Sequence, residues 1–160
     1  MNRRDDSRFD PRTVSASIGL VLVLLASCES PRTDYTLEDF ANLHWLEGSW
    51  RGQIPSGGHF YETYRLVDDS TIAMRGYEDS TFTRANDSAD IVFRGGRVID
   101  RSTNAEYGAT RLDTGRVDFA PVDHDRNHFS WVRESPDRWT ATLRPAKGNT
   151  VVYPMVRVSR

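Results

Sequence analysis

Hydrophobic residues fall into two regimes along this chain. Between Val14 and Leu25 they form a nearly continuous run, densest from Ile18 to Leu25. From residue 48 onwards they alternate with polar residues in short stretches separated by turn chemistry. Between the two lies Thr36-Leu37-Glu38-Asp39-Phe40-Ala41-Asn42-Leu43, where Leu37, Phe40 and Leu43 recur at helical spacing. That spacing predicts one or two helical turns, with Thr36 or Asp34 able to cap the start.

The alternating region predicts strands. Residues 48–54 end at the turn Pro55-Ser56-Gly57-Gly58, and residues 59–67 end at Asp68-Asp69-Ser70. In residues 71–77, Ile72, Met74 and Gly76 take one face and Ala73, Arg75 and Tyr77 the other. Ile91–Arg94 and Arg97–Ile99 flank Gly95-Gly96, a pair suited to a two-residue hairpin. Further strands are expected at 106–112 and 116–122 around Asp113-Thr114-Gly115, at 128–134 and 138–144 around Ser135-Pro136-Asp137, and at 151–158. Strands about ten residues apart, with turn residues between them, indicate an all-β antiparallel sandwich or barrel. A barrel of about eight to ten strands is the better fit, because closure removes the exposed edges that so many strands would leave.

The first apolar run reads differently. It is roughly a dozen residues long, short of the ~20 needed to cross a bilayer as a helix. Arg3, Arg4, Arg8 and Arg12 precede it, and it ends at Leu25-Ala26-Ser27-Cys28. A basic start, a short apolar core and small residues form the pattern of an export signal over residues 1–27. The last four residues resemble the lipobox of bacterial lipoproteins. That resemblance implies diacylglycerol on the Cys28 thiol, cleavage after Ser27, a tether over residues 28–35 and a domain over residues 36–160. Each buried acyl methylene adds about 0.8 kcal/mol, so two or three chains would hold the protein on a membrane. Residue 29 is Glu. In a Gram-negative host the resemblance then implies the outer membrane, with the domain facing the periplasm.

Composition narrows the function further. Of 21 basic and 23 acidic residues, four and three lie in the leader, which leaves 17 and 20 in the remainder. No basic stripe of the kind that displaces counterions from nucleic acid is present. Cys28 is the single cysteine, so the domain holds no internal disulfide and no cysteine nucleophile. Gly-x-Ser-x-Gly, Gly-rich phosphate-loop and His-Glu-x-x-His motifs are all missing.

Trp45-Leu46-Glu47-Gly48-Ser49-Trp50 resembles the opening of lipocalin-like (calycin) barrels, where a Trp and a Gly close one barrel end beside a short N-terminal helix. Glu62-Thr63-Tyr64, Met74-Arg75-Gly76, and Phe119 with His124-Asp125 extend the resemblance to a group of uncharacterised bacterial lipocalin-like domains. Where that group follows His-Asp with Phe-Pro, this chain has Arg126-Asn127.

Two-residue periodicity places Glu62 on one face with Phe60, Tyr64 and Leu66. If that face lines the barrel, a carboxylate stands among apolar side chains and needs a partner or a raised pKa. Arg75 and Arg133 are the candidate partners. The segment from Asp123 to His128 holds a His-x3-His pair, His124 and His128, a composition that can bind zinc. It reads as a loop, which lacks the fixed spacing of helical histidine pairs. His44, His59, His124 and His128 are the candidates for a haem ligand, none in a diagnostic motif. Neither cofactor is assigned. Trp45, Trp50, Trp131 and Trp139 are core candidates, since a barrel of this size needs large side chains to fill it. The candidate ligand-binding residues are Glu62, Tyr64, Arg75, His124 and Trp131. Three functional classes follow. One is a lipoprotein whose barrel holds a small hydrophobic ligand, and another is an interaction lipoprotein whose barrel is filled by its own aromatics. The third is an acid–base enzyme using Glu62, His124 and Asp125. A cavity of ~300 Å3 or more separates the first from the second.

Overall fold

The computed structural model describes residues 30–102, 105–122 and 127–159. The expected export signal, Cys28 and the loop residues Asp123, His124 and Asp125 lie outside these. Ten strands are present among the described residues: β1 (Gly48–Gln53), β2 (His59–Asp68), β3 (Thr71–Tyr77), β4 (Ala85–Arg94), β5 (Arg97–Ser102), β6 (Glu106–Asp113), β7 (Arg116–Pro121), β8 (His128–Ser135), β9 (Arg138–Arg144) and β10 (Val151–Arg157). Each pairs antiparallel with its neighbour in sequence, and β1 pairs with β10, so the sheet closes into a barrel with no free edge. Ahead of it stand helix α1 (Leu37–Ala41) and a single 3-10 turn at His44–Leu46.

Local chemistry explains the boundaries. Thr36 caps α1 through a reciprocal pair of bonds: the Asp39 N–H donates to Thr36 Oγ1 at 3.1 Å, and the Thr36 N–H donates to Asp39 Oδ2 at 2.8 Å. Asp34, the other candidate cap, pairs with Arg32 instead. Gly95 and Gly96 both have positive φ, 57° and 76°, as the two-residue hairpin between β4 and β5 requires. Phe40 and Leu43 are fully buried, whereas Leu37 faces solvent. Strand β4 begins six residues before the expected Ile91, because Ala85–Asp90 is too polar to be read as a strand from alternation alone.

Register fixes which residues face inward. Trp50 lies beside Glu62, Glu62 beside Gly76, and Gly76 beside Asp87. Ile91 lies beside Asp100, and Asp100 beside Tyr107. On the opposite wall, Val117 lies beside Trp131, Trp131 beside Ala141, and Trp139 beside Met155.

The two barrel ends differ. At one, α1 and the 3-10 turn pack Phe40, Leu43 and Leu46 under the short hairpins, forming a continuous core with Trp50, Ile72, Val98, Val117 and Trp139. The Trp50 indole N–H donates to Leu46 O at 2.6 Å. Arg157 lies over the Trp50 ring at 4.2 Å and donates to the carbonyls of Trp45, Glu47 and Pro136. This end is plugged. The other, where β1–β2, β3–β4, β7–β8 and β9–β10 are joined by longer loops, forms the mouth.

The stretch expected as a tether is held against the wall from Pro31 onwards. The N–H of Arg32 donates to Ala109 O and that of Tyr35 to Gly96 O, both at 2.9 Å, and Tyr35 is buried.

Candidate functional site

The mouth half of the barrel is hollow. A cavity of about 470 Å3 is lined by Phe60, Glu62, Tyr64 and Met74 on one wall, and by Phe129, Trp131, Ala141, Leu143, Tyr153 and Met155 on the other. Asp87 stands at its mouth. A neighbouring pocket of about 390 Å3 shares Phe60, Glu62 and Asp87 with it and extends past Gly76 and Asn86. Two glycines shape this space. A Cβ on Gly52 would come within 2.1–2.6 Å of the Phe60 ring, so its absence lets Phe60 fold inward, edge-on to Tyr153. A Cβ on Gly76 would meet Asp87 Cβ at 3.0 Å and Asn86 Oδ1 at 3.1 Å, so glycine admits the polar half of β4 to the rim.

Glu62 is the polar centre of the cavity. The Tyr64 hydroxyl, two residues along the same face, donates to Glu62 Oε2 at 2.9 Å. Burial pushes the Glu62 carboxyl up from its ordinary 4.5 to about 7; the Tyr64 hydrogen bond opposes the rise and the Asp87 charge adds to it. Glu62 is half-buried, with protein around its carboxyl on most sides, so solvent screening is weak. The Tyr64 hydroxyl is held well above its ordinary range by burial, with the Glu62 charge and the hydrogen bond adding to the effect.

Asp100 is the second inward carboxyl. Burial raises it from 3.8 to about 7, and the charges of Glu62, Asp87 and Asp90 push in the same direction. Among the described residues no Arg, Lys or His lines the cavity. Among the described residues the interior therefore combines an aromatic wall with carboxyl groups that no cation neutralises.

The candidates read from sequence divide clearly. Glu62, Tyr64 and Trp131 meet in the cavity. Arg75 does not: it stands beside Thr63 and Ser88 on the outer face, 3.5 Å from Asp90, and lines an external pocket with Thr63, Arg65 and Ala73. Alternation already separates it, since Met74 and Gly76 share the face of Glu62 and Arg75 lies between them. Arg133 is exposed near the plugged end, where its N–H donates to Gly115 O. Neither arginine partners Glu62. His124 lies outside the described residues, and so does the proposed meeting of Glu62 with His124 and Asp125. His59 and His128 are exposed at strand starts, while His44 packs on Phe40 at the plugged end. None of these three histidines lines the cavity, and among the described residues no group of three metal-ligating side chains occurs. Trp50 is a core residue; Trp131 and Trp139 join that core and also line the cavity.

Sequence reading missed Asp87 and Asp100. Both sit in polar runs, Ala85–Asp90 and Asp100-Arg101-Ser102, with no large apolar residue two positions away on the mouth side to mark the inner face. The paired register reveals them.

No protein-family model matches the chain, and no curated protein matches it significantly. Among solved structures it is similar to the T-type phycobiliprotein lyase CpeT from Prochlorococcus phage P-HM1, with a TM-score of 0.50 at 7% identity over 79% of this chain and 100% of that one. Rv2717c from M. tuberculosis superposes with a TM-score of 0.44 at 11% identity, over 79% of this chain and 100% of that one. The S-type phycobiliprotein lyase CPES from Guillardia theta gives 0.41 at 17% identity, over 78% and 94%. At these identities the likeness concerns the fold. The closed ten-stranded antiparallel topology and the short helix before β1, together with the likeness to CpeT, show a lipocalin-like β-barrel fold.

Proposed function

We propose that this chain is an envelope lipoprotein whose barrel binds a small, largely hydrophobic ligand. The cavity of about 470 Å3 carries the reading. A barrel serving only as an interaction scaffold would be filled by its own side chains. Here the aromatics pack solidly at the plugged end and leave the mouth half open. The volume falls within the range of pockets that enclose small organic molecules, roughly 300–1,000 Å3, and most of the lining is apolar. Attachment through Cys28 and, in a Gram-negative host, an outer-membrane position facing the periplasm rest on the leader sequence Leu25-Ala26-Ser27-Cys28-Glu29.

Native mass spectrometry of the full-length protein, purified gently from its own host, tests the binding function. The expected result is an excess mass, beyond any acyl modification, that disappears on denaturation. A clean apo mass that persists after incubation with lipid and aromatic amphiphiles would overturn it.

A further inference from the structure

The chemistry of the cavity specifies more than hydrophobicity. Glu62 and Asp87 line the cavity, and Asp100 stands on the same inward face of the barrel by strand register. The groups facing Glu62 are the Tyr64 hydroxyl on its own strand, Asp87 from β4 and Asp100 from β5; its neighbours on β1 and β3 are Trp50 and Gly76. No positive charge enters from any of these elements. Arg65 and Arg75 occupy the alternate, outward positions, and Arg157 is committed at the plugged end. In a confined space with low-dielectric walls such charges add, so the cavity presents a negative potential along an aromatic surface.

We propose that the cavity selects a hydrophobic amine, whose apolar body lies against Phe129, Trp131, Leu143 and Tyr153 and whose ammonium group reaches Glu62. This inference rests on the barrel being a ligand-binding site and deepens that reading. An anionic amphiphile would bring a like charge against these carboxyls. A neutral one would leave the carboxyls without a counter-charge. An ammonium ion satisfies them with charge-assisted hydrogen bonds, and the rings of Trp131 and Phe60 offer it cation–π contact. Because burial holds Glu62 near neutrality, an incoming cation displaces its proton, and amine binding below the Glu62 pKa of about 7 releases protons.

The test is isothermal titration calorimetry of the full chain with phenylbutylamine, phenylbutanol and phenylbutyrate at about pH 8, where the amine is cationic. The amine is expected to bind at least about tenfold tighter than the alcohol, the scale of one charge-assisted hydrogen bond, with the carboxylate weakest. Glu62→Gln should remove most of the amine's advantage over the alcohol without weakening the alcohol. Asp87→Asn, a change at the exposed rim that leaves the interior packing intact, should narrow the preference in the same direction. Repeating the amine titration near pH 6 in two buffers of different ionisation enthalpy should show proton release. If the alcohol or carboxylate binds as tightly as the amine, or if Glu62→Gln keeps the preference, the amine proposal fails while barrel binding stands. If none of the three binds, and the protein also carries no ligand from its host, both fail.

Discussion

Glu62 and Asp100 are each neutral in the folded barrel over a pH range in which an unfolded chain would ionise them. Their folded pKa values, about 7, lie above the ordinary 4.5 and 3.8, so the folded state holds protons that the unfolded state has released. Their contribution to stability is complete below about pH 4 and is lost progressively as pH rises through about 7. Glu62→Gln removes a large share of that loss. The variant should be more stable than the parent by about 1–3 kcal/mol at pH 8 and no more stable at pH 4, read from urea unfolding at the two pH values. A larger gain at pH 4 than at pH 8 would contradict the buried, raised carboxyl. The shared face of Glu62 and Tyr64 was legible in the sequence because aromatics flank Glu62 at alternate positions, but their hydrogen bond was not, since Arg75 and Arg133 were the expected partners. Asp87 and Asp100 were not, because nothing local distinguishes an inward aspartate from a solvated one. Only the pairing of Gly76 with Asp87 and of Ile91 with Asp100 shows their direction.

At the scale of elements, the plugged end depends on one arginine and one glycine. Gly48 has φ +133°, and a Cβ there would lie 2.2 Å from Arg157 Nη1. The glycine thus leaves room for the guanidinium that ties β10 to the carbonyls before β1 and stacks on Trp50. Gly48→Ala and Arg157→Ala should each destabilise the protein by about 1–3 kcal/mol, through backbone strain with displacement in the first case and unpaired carbonyls in the second. Thermal unfolding checks both. Combining them should cost less than the sum, since the alanine at 48 no longer meets a guanidinium. The hairpin turns, the capped helix and most strand limits were legible from turn residues and alternation. The exception is the mouth half of β4, where hydrogen bonds to β3 and β5 hold a polar segment extended in spite of its composition.

For the whole molecule, closure of the sheet was an argument from exposed edges, and the pairing of β1 with β10 bears it out. The cavity was not legible, because composition does not reveal whether aromatics meet at the centre or line a wall. The proposed attachment to a membrane is a separate question and has its own test. Cys28→Ala should leave the protein unprocessed or released into the soluble fraction on cell fractionation. Normal membrane retention of the processed variant would exclude lipid attachment at that residue.

The short stretch from Pro31 to Tyr35, pinned along the β5–β6 side of the barrel, has a consequence for that attachment. Only Glu29 and Ser30 separate Cys28 from the pinned segment. Fully extended, each residue spans about 3.3–3.6 Å, so an acyl group on Cys28 would leave a leash of roughly ten ångströms between bilayer and wall. On so short a leash the barrel of an acylated protein could not tumble freely above the lipid. It would be held by its mouth end, where Pro31 packs at Gly108, so that the mouth lies close to the headgroup layer, where an amphiphile partitioned into the membrane is far more concentrated than in bulk water.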